Sequence, residues 1–261
     1  MENRAKTKSN LIQSVDRALQ ILECFSRENR ELGVTEISKY LGLHKSTTFG
    51  LLSTLESRGY VEQNLDNGKY RLGLKLFELG NLVHEGLDLR KQAYPFLKEL
   101  VDKYQETVHL VVNDRGEAVY IDKVEGPGAI RMYSQVGKRP PMYCTGVGKA
   151  ILAYMPDKEV DRILFEKGLR PFTPNTITDV DKLKAHLAEI REQGYSFDNE
   201  EIEIGLRCVA APIKNHKGEV IAAISVAGPS TRMTWEKMNI LAISVKEAAV
   251  NISRRMGYKG I

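Results

Sequence analysis

Cysteine is scarce in this chain of 261 residues: Cys24, Cys144 and Cys208 are far apart and form no CxxC pair. That excludes a disulfide framework and a zinc knuckle, and a reducing cytoplasm is the compartment such usage fits. Long apolar runs are missing as well. The longest, Val220 to Ala227 with only Ser225 breaking it, is far too short to cross a bilayer, and the polar start Met1 to Asn10 is followed by no apolar signal segment, so neither export nor membrane insertion is expected. Proline is absent before Pro95, although the chain has 9. No charge of one sign dominates: 38 Lys and Arg against 34 Asp and Glu leave a net +4, too little to choose among nucleic acid, membrane and small-molecule partners. What remains is an ordinary folded mixture, 42% hydrophobic and 28% charged, long enough for two domains.

The location of the charge says more than its sum. Up to residue 75 there are 12 basic and 9 acidic residues, and 26 and 25 beyond it, so three of the four net charges lie at the N-terminal end. There Ser14 is an expected N-cap, with Val15, Ala18, Leu19, Leu22 and Phe25 at the spacing of one helix face. Thr35 is placed to cap a second helix ending at Gly42, and a third runs from Lys45 to Arg58 and stops at Gly59. Two short helices joined at a glycine turn are a helix-turn-helix pattern. Tyr60 to Gln63 and Lys69 to Leu72 flank Asp66-Asn67-Gly68, a strong hairpin signal that supplies a wing. In such a module the third helix enters the major groove. Leu52 and Leu55 then face the core, while Lys45, Ser46, Thr47, Phe49 and Ser53 are available to the groove and Lys69 and Arg71 to the flanking backbone. A plain helical hairpin or a protein-interaction module has the same local pattern, and the small basic surplus of this region keeps both readings open.

Ser14-Val15-Asp16-Arg17-Ala18-Leu19, Thr35-Glu36-Ile37, Leu41-Gly42-Leu43 and Lys45-Ser46-Thr47-Thr48 together resemble the opening of the IclR family of bacterial transcriptional regulators. The likeness continues in order through Tyr70-Arg71-Leu72-Gly73, Gly146 to Ala153 (GVGKAILA), Gly205 to Ile213 and Ala223 to Pro229. It implies an α+β protein: a winged helix-turn-helix over residues 12–73, a linker helix over 74–88 and a GAF-like effector-binding domain over 89–261. It also implies a homodimer or homotetramer on palindromic operator DNA, with Arg17 joining the DNA-binding set. One departure is Gly50, where the family commonly has arginine: glycine cannot make the bidentate guanine contact and costs roughly 1 kcal/mol of helix propensity.

By pattern alone, the remainder alternates helices and strands. Leu89 to Tyr104, Asp179 to Gly194 and Trp235 to Met256 are helical; Thr107 to Val112, Val119 to Val124, Ile130 to Tyr133, Cys208 to Ile213 and Val220 to Val226 are strand-like. An antiparallel sheet flanked by helices is the expectation. Enzyme signatures fail one after another. Gly148-Lys149 lacks the glycine five positions upstream and the Ser or Thr downstream that a phosphate loop needs. The five histidines, His44, His84, His109, His186 and His216, have no metal-ligand spacing, and no cofactor motif is present. Cys144 and Cys208 are expected to be buried structural thiols, and Asp198, Glu200, Glu201 and Glu203 to be mostly a solvated acidic loop.

Binding has a better signal. Cys144 to Gly148 leads into a helix at Lys149 to Met155, which places amide N–H groups where a carboxylate is welcome; two glycines easing a tight helix start explain the same residues equally well. From the resemblance, the effector contacts fall on Met132, Gly146, Val147, Asp198, Cys208 and Ser225, with Ala227 replacing a second serine of some members. The implied effector is a small keto or hydroxylated carboxylic acid. Arg131 to Arg139, Glu192 to Tyr195 and Met256 to Tyr258 look most like the family's repressors of pectin and hexuronate catabolism, which respond to 2-keto-3-deoxygluconate. A small-molecule enzyme with an accessory winged helix is the alternative reading.

Overall fold

The computed structural model describes residues 11–26, 28–86, 88–128 and 134–260, and the chain divides into two compact units, one up to residue 87 and one from residue 88. The N-terminal unit holds α1 (Gln13–Glu23), α2 (Val34–Leu41), α3 (Lys45–Ser57), the antiparallel pair β1 (Val61–Gln63) and β2 (Tyr70–Leu72), and α4 (Leu74–Gly86). Its core is Ile21, Leu32, Ile37, Leu52, Leu55, Val61 and Tyr70. Leu32 also exchanges both backbone hydrogen bonds with Tyr70 at 2.9 Å, which adds a one-residue third strand to the wing.

Three local expectations are corrected. Helix α1 begins at Gln13 with Ile12 at the N-cap, so Ser14 lies inside it. Its core face runs through Ala18, Ile21 and Leu22, with Phe25 beyond its end packed on the same core, while Val15 and Leu19 are exposed. Gly33, not Thr35, precedes α2, and Glu36 Oε2 accepts its N–H at 2.7 Å, as the returning half of a capping box does. The turns are where the sequence puts them: Gly42, Gly59 and Gly68 all have positive φ.

The C-terminal unit is built on a five-stranded antiparallel sheet, in the order β4-β3-β7-β6-β5. The strands are β3 (Thr107–Asp114), β4 (Glu117–Val124), β5 (Ser196–Asn199), β6 (Leu206–Lys214) and β7 (Val220–Pro229). The helices are α5 (Asp88–Tyr104), α6 (Gly146–Leu152), α7 (Asp157–Lys167), α8 (Val180–Gln193) and α9 (Trp235–Arg255). Strand alternation gives each face its own core. On one, Val108, Leu110, Val209, Ile224 and Val226 pack with α5 and α9; on the other, Val111, Ala210 and Ala223 pack with α6, α7 and α8. Strand β5 is an addition to the sequence reading, α6 starts three residues earlier than expected, and the candidate strand at 130–133 lies outside the described residues. The fold is α+β.

A β-bulge shapes the sheet edge. Leu110 pairs with Asp122 and Val111 with Tyr120, so Ile121 is unpaired and the facing of β4 reverses across it. Tyr120 therefore joins the face of α6, and Asp122 meets Arg90 of α5, with Nε to Oδ2 at 2.9 Å.

Candidate functional site

On α3 the split between buried and exposed residues follows helix periodicity. Thr48, Leu52 and Leu55 are buried, whereas Lys45, Ser46, Thr47, Phe49 and Gly50 face solvent and Ser53 is half-buried. Phe49 is 55% exposed, an unusual position for a phenylalanine with no role at the surface. The wing tip is tied down by Glu31, which accepts from the side-chain amides of Asn64 at 3.0 Å and Asn67 at 2.8 Å. Lys69 pairs with Glu36 at 3.6 Å and Arg71 with Glu62 at 3.1 Å. Both pairs are solvent-exposed and cheap to exchange for a phosphate. Arg17 lies half-buried on α1.

In the C-terminal unit, a cavity of about 890 Å³ opens on the α6 face of the sheet. Strand register builds its floor: Asp198, Cys208 and Ala227 lie in one cross-strand row, and His109 and Ser225 face each other in the next. Tyr120, turned inward by the bulge, adds a phenol, and Ser134, Thr145 and Val147 continue the wall. Of the six expected contacts, Val147, Asp198, Cys208 and Ser225 line this cavity. Gly146 sits behind it, and Met132 lies outside the described residues.

The amide cradle is narrower than the sequence suggests. Thr145 caps α6, its Oγ1 accepting from Gly148 N–H at 3.3 Å, and the Gly146 N–H is directed at the Cys208 sulfur. Among the described residues nothing accepts from the Val147 N–H, which leaves that one amide for a ligand. Both glycines answer to packing. A Cβ on Gly146 would lie 2.5 Å from Cys208 Sγ, and one on Gly148 would lie 2.3 Å from the Met142 backbone.

Burial sets the protonation of the floor. It holds His109 neutral, with its pKa lowered to about 3, helped by the Lys123 charge. The ring meets Ser134 Oγ at 2.7 Å and Ser225 Oγ at 3.5 Å. Burial raises Asp198 to about 7, although its Oδ1 accepts from Glu201 N–H at 2.8 Å. It also pushes the Cys144 thiol up to about 12 and raises Cys208 and Tyr120 as well. Both thiols stay protonated, which suits structural cysteines and not nucleophiles. Among the described residues no group of His, Cys, Asp and Glu is placed to hold a metal ion, and no helix is long and apolar enough to cross a membrane.

The acidic segment corrects the sequence reading most sharply. Only Glu203 is solvated; Asp198 and Glu201 are buried, and Glu200 pairs with Arg207 at 3.0 Å. Sequence reasoning did not place His109, Tyr120, Ser134 or Thr145 among the effector contacts. The signal for His109 was its place inside the apolar run Val108 to Val112 of β3, where a polar side chain on a buried strand demands partners. Lys138 and Arg139, read as a source of positive field, stand at the cavity rim; Arg139 is already engaged by Asp114 at 2.5 Å and Glu117 at 3.0 Å.

A winged helix with a polar, exposed surface on its third helix, carried on the same chain as a sheet domain enclosing a small-molecule cavity, defines a DNA-binding transcription regulator with a ligand-binding domain. Comparison with known proteins agrees. Residues 14–65 match the IclR helix-turn-helix domain, and residues 82–254 match the bacterial transcriptional regulator IclR C-terminal domain. The chain is 43% identical over 248 residues to the regulator XynR of Escherichia coli K12, covering 95% of this chain and 98% of that one. It is 40% identical over 247 residues to KdgR of the same organism, covering 95% and 94%. The crystal structure of an IclR homolog from Microbacterium hydrocarbonoxydans complexed with 4-hydroxybenzoate superposes with a TM-score of 0.82 at 26% identity, covering 93% of this chain and 98% of that one. The protein belongs to the IclR family and is a transcription regulator rather than an enzyme.

Proposed function

We propose that this chain is a repressor that grips palindromic operator DNA as a homodimer, or as a pair of dimers, and loosens its hold when a small keto or hydroxylated carboxylic acid of the 2-keto-3-deoxygluconate type binds. Residues 12–73 would be the reader, 74–88 the linker and 89–261 the sensor. The observation that carries the reading is the cavity floor. It offers neutral groups, the Ser225 hydroxyl held beside His109, the Tyr120 phenol and the Val147 amide, to hydroxyl, keto and carboxylate oxygens, with Asp198 at its edge. The 4-hydroxybenzoate held by the Microbacterium homolog is likewise a hydroxylated carboxylic acid, and the motif resemblance to the repressors of pectin and hexuronate catabolism favours a sugar-derived acid. Lys45, Ser46, Thr47, Lys69, Arg71 and Arg17 supply phosphate and base-edge contacts, and Phe49 suits a thymine methyl.

A gel shift with the DNA upstream of the chain's own gene, run with and without a panel of keto, uronic and aldonic acids, tests this directly. Salt-dependent retention is expected, released by 2-keto-3-deoxygluconate or a close relative. A ~100-fold release requires about 2.7 kcal/mol of coupling, within the ordinary allosteric range. No retention at low salt overturns the reading.

The dimer is supported by apolar side chains left in water. On α4, Leu74, Phe77 and Leu82 are each about two-thirds exposed or more. A Phe77→Glu variant is expected to sediment as a smaller species and to lose operator affinity; an unchanged mass would remove α4 from the interface. Gly50 gives a separate test. Nothing lies within 4 Å of the place a Cβ would occupy there. Gly50→Arg should therefore fold, gain up to about 1 kcal/mol of helix stability and shift base preference toward guanine in a binding-site selection. Unchanged affinity and preference would take position 50 off the recognition surface.

A further inference from the structure

Helix α6 carries a lysine that neither the DNA reader nor the cavity floor uses. Lys149 is fully buried among Ala150, Ile151 and Leu152, an expensive place for an ammonium. Its Nζ donates to Glu201 Oε1 and, at 3.3 Å, to His186 Nε2. Because lysine only donates, that histidine nitrogen accepts, and Nδ1–H is left for Glu189 Oε2 at 3.4 Å. Burial and the Lys149 charge both lower the His186 pKa, in keeping with a neutral ring. Glu201 is buried too, and its Oε2 has no partner among the described residues.

The pair joins two pieces of the cavity wall. Lys149 follows Thr145 and Val147 on α6, while Glu201 opens the turn whose Ile202 to Leu206 form the opposite side. Thr173 Oγ1 and Thr176 Oγ1 hold the same turn by donating, each at 2.6 Å, to the carbonyls of Glu200 and Glu201 respectively. Glu201 N–H in turn donates to Asp198 Oδ1. Asp198 is thus faced by Lys149 from α6, Glu201 from its own turn, Cys208 from β6, Tyr120 from β4 and Cys144 from the segment before α6. Of these, the two charged groups act in opposite directions, Glu201 favouring the protonated carboxyl and Lys149 the ionised one.

We propose that Lys149 and Glu201 are positioning residues for the effector: their buried ion pair pins the 200–206 turn onto α6 and so fixes both the place and the charge of Asp198 at the cavity wall. This rests on the acid-binding reading of the cavity. A buried ion pair is seldom kept for stability alone, since apolar residues of like volume serve as well or better. Here the pair lets one carboxylate influence Asp198 while the neighbouring lysine keeps that carboxylate in place.

Two full-length variants test it. Glu201→Gln keeps the shape and removes the charge; the Asp198 carboxyl, followed by carbon-13 NMR without ligand, is expected to titrate at lower pH than in the parent. Affinity for 2-keto-3-deoxygluconate, or for whichever panel acid binds the parent best, should weaken severalfold at neutral pH. In Lys149→Met/Glu201→Leu the opposing influences vanish together, so the titration midpoint moves less. The turn is unpinned, however, and acid affinity should fall about tenfold at every pH. If Asp198 titrates in Glu201→Gln as in the parent, or if the folded double variant binds acid as the parent does, the inference is overturned. A parent that binds no acid sinks the effector reading instead, while the ligand-free titration still decides the electrostatic link.

Discussion

Lys149→Met is expected to cost the C-terminal unit about 3–5 kcal/mol, because it strands the Glu201 carboxylate in the interior without its cation. Denaturant unfolding followed by a probe in that unit would read the loss as a lower midpoint. A control at an exposed pair separates burial from charge removal: Lys98 and Asp102 sit at 3.0 Å in an i,i+4 arrangement on α5, both more than half exposed, and Lys98→Met should change stability by less than about 0.5 kcal/mol. Adding Glu201→Leu to Lys149→Met should recover most of the deficit, since the orphaned charge then disappears. Equal losses for Lys149→Met and Lys98→Met would mean that position 149 is solvated.

Lys149 also marks the boundary of what the sequence makes legible. A lysine between glycine and alanine looks like a surface residue until its partner is known, and Glu201 is 52 positions away. Local signals fared better. The positive-φ glycines at 42, 59 and 68 and the core leucines at 52 and 55 are short-range features, and they placed the winged helix correctly. Helix α1 misled because it is apolar on two sides. Val15 and Leu19 form one stripe and Ala18, Ile21 and Leu22, continued by Phe25 beyond its end, another, and only packing decides which faces the core.

The cavity divides in the same way. GVGKA marked the helix beside it, yet two readings of its glycines stood level until the close approach of Gly148 to the Met142 backbone and of Gly146 to Cys208 favoured packing. His109 and Tyr120 reach the floor through the β3–β7 register and a bulge in β4. The β3 sequence shows that His109 needs buried partners but not which ones, and nothing in β4 alone marks the bulge that turns Tyr120 inward. The acidic segment failed for the related reason that charge run and solvent exposure were equated, whereas Asp198 and Glu201 are bought into the interior by backbone amides and Lys149.

Asp198→Asn is expected to flatten two pH profiles at once. The folded pKa is about 7, against about 3.9 for an unperturbed aspartate. The native state therefore holds this proton more tightly than the unfolded chain between about pH 4 and 7, and the stability it contributes, full below pH 4, is lost as pH rises through 7. At about 1.36 kcal/mol per unit the contribution reaches up to roughly 4 kcal/mol. Asparagine cannot titrate, and its amide oxygen can still accept from Glu201 N–H, so unfolding midpoints at pH 5 and pH 8 should differ less in the variant than in the parent. Binding follows the same proton. When neutral, Asp198 can donate O–H to an acid's carboxylate; when ionised, it repels that carboxylate. Above about pH 7 the parent's affinity for the acid should fall toward tenfold per pH unit, while that of Asp198→Asn stays level. The surrounding groups do not mimic this, because His109 is neutral above about pH 3 and the Cys144, Cys208 and Tyr120 protons are held well past neutrality. A parent affinity that is constant from pH 6 to about 8.5 would mean that the acid binds away from Asp198.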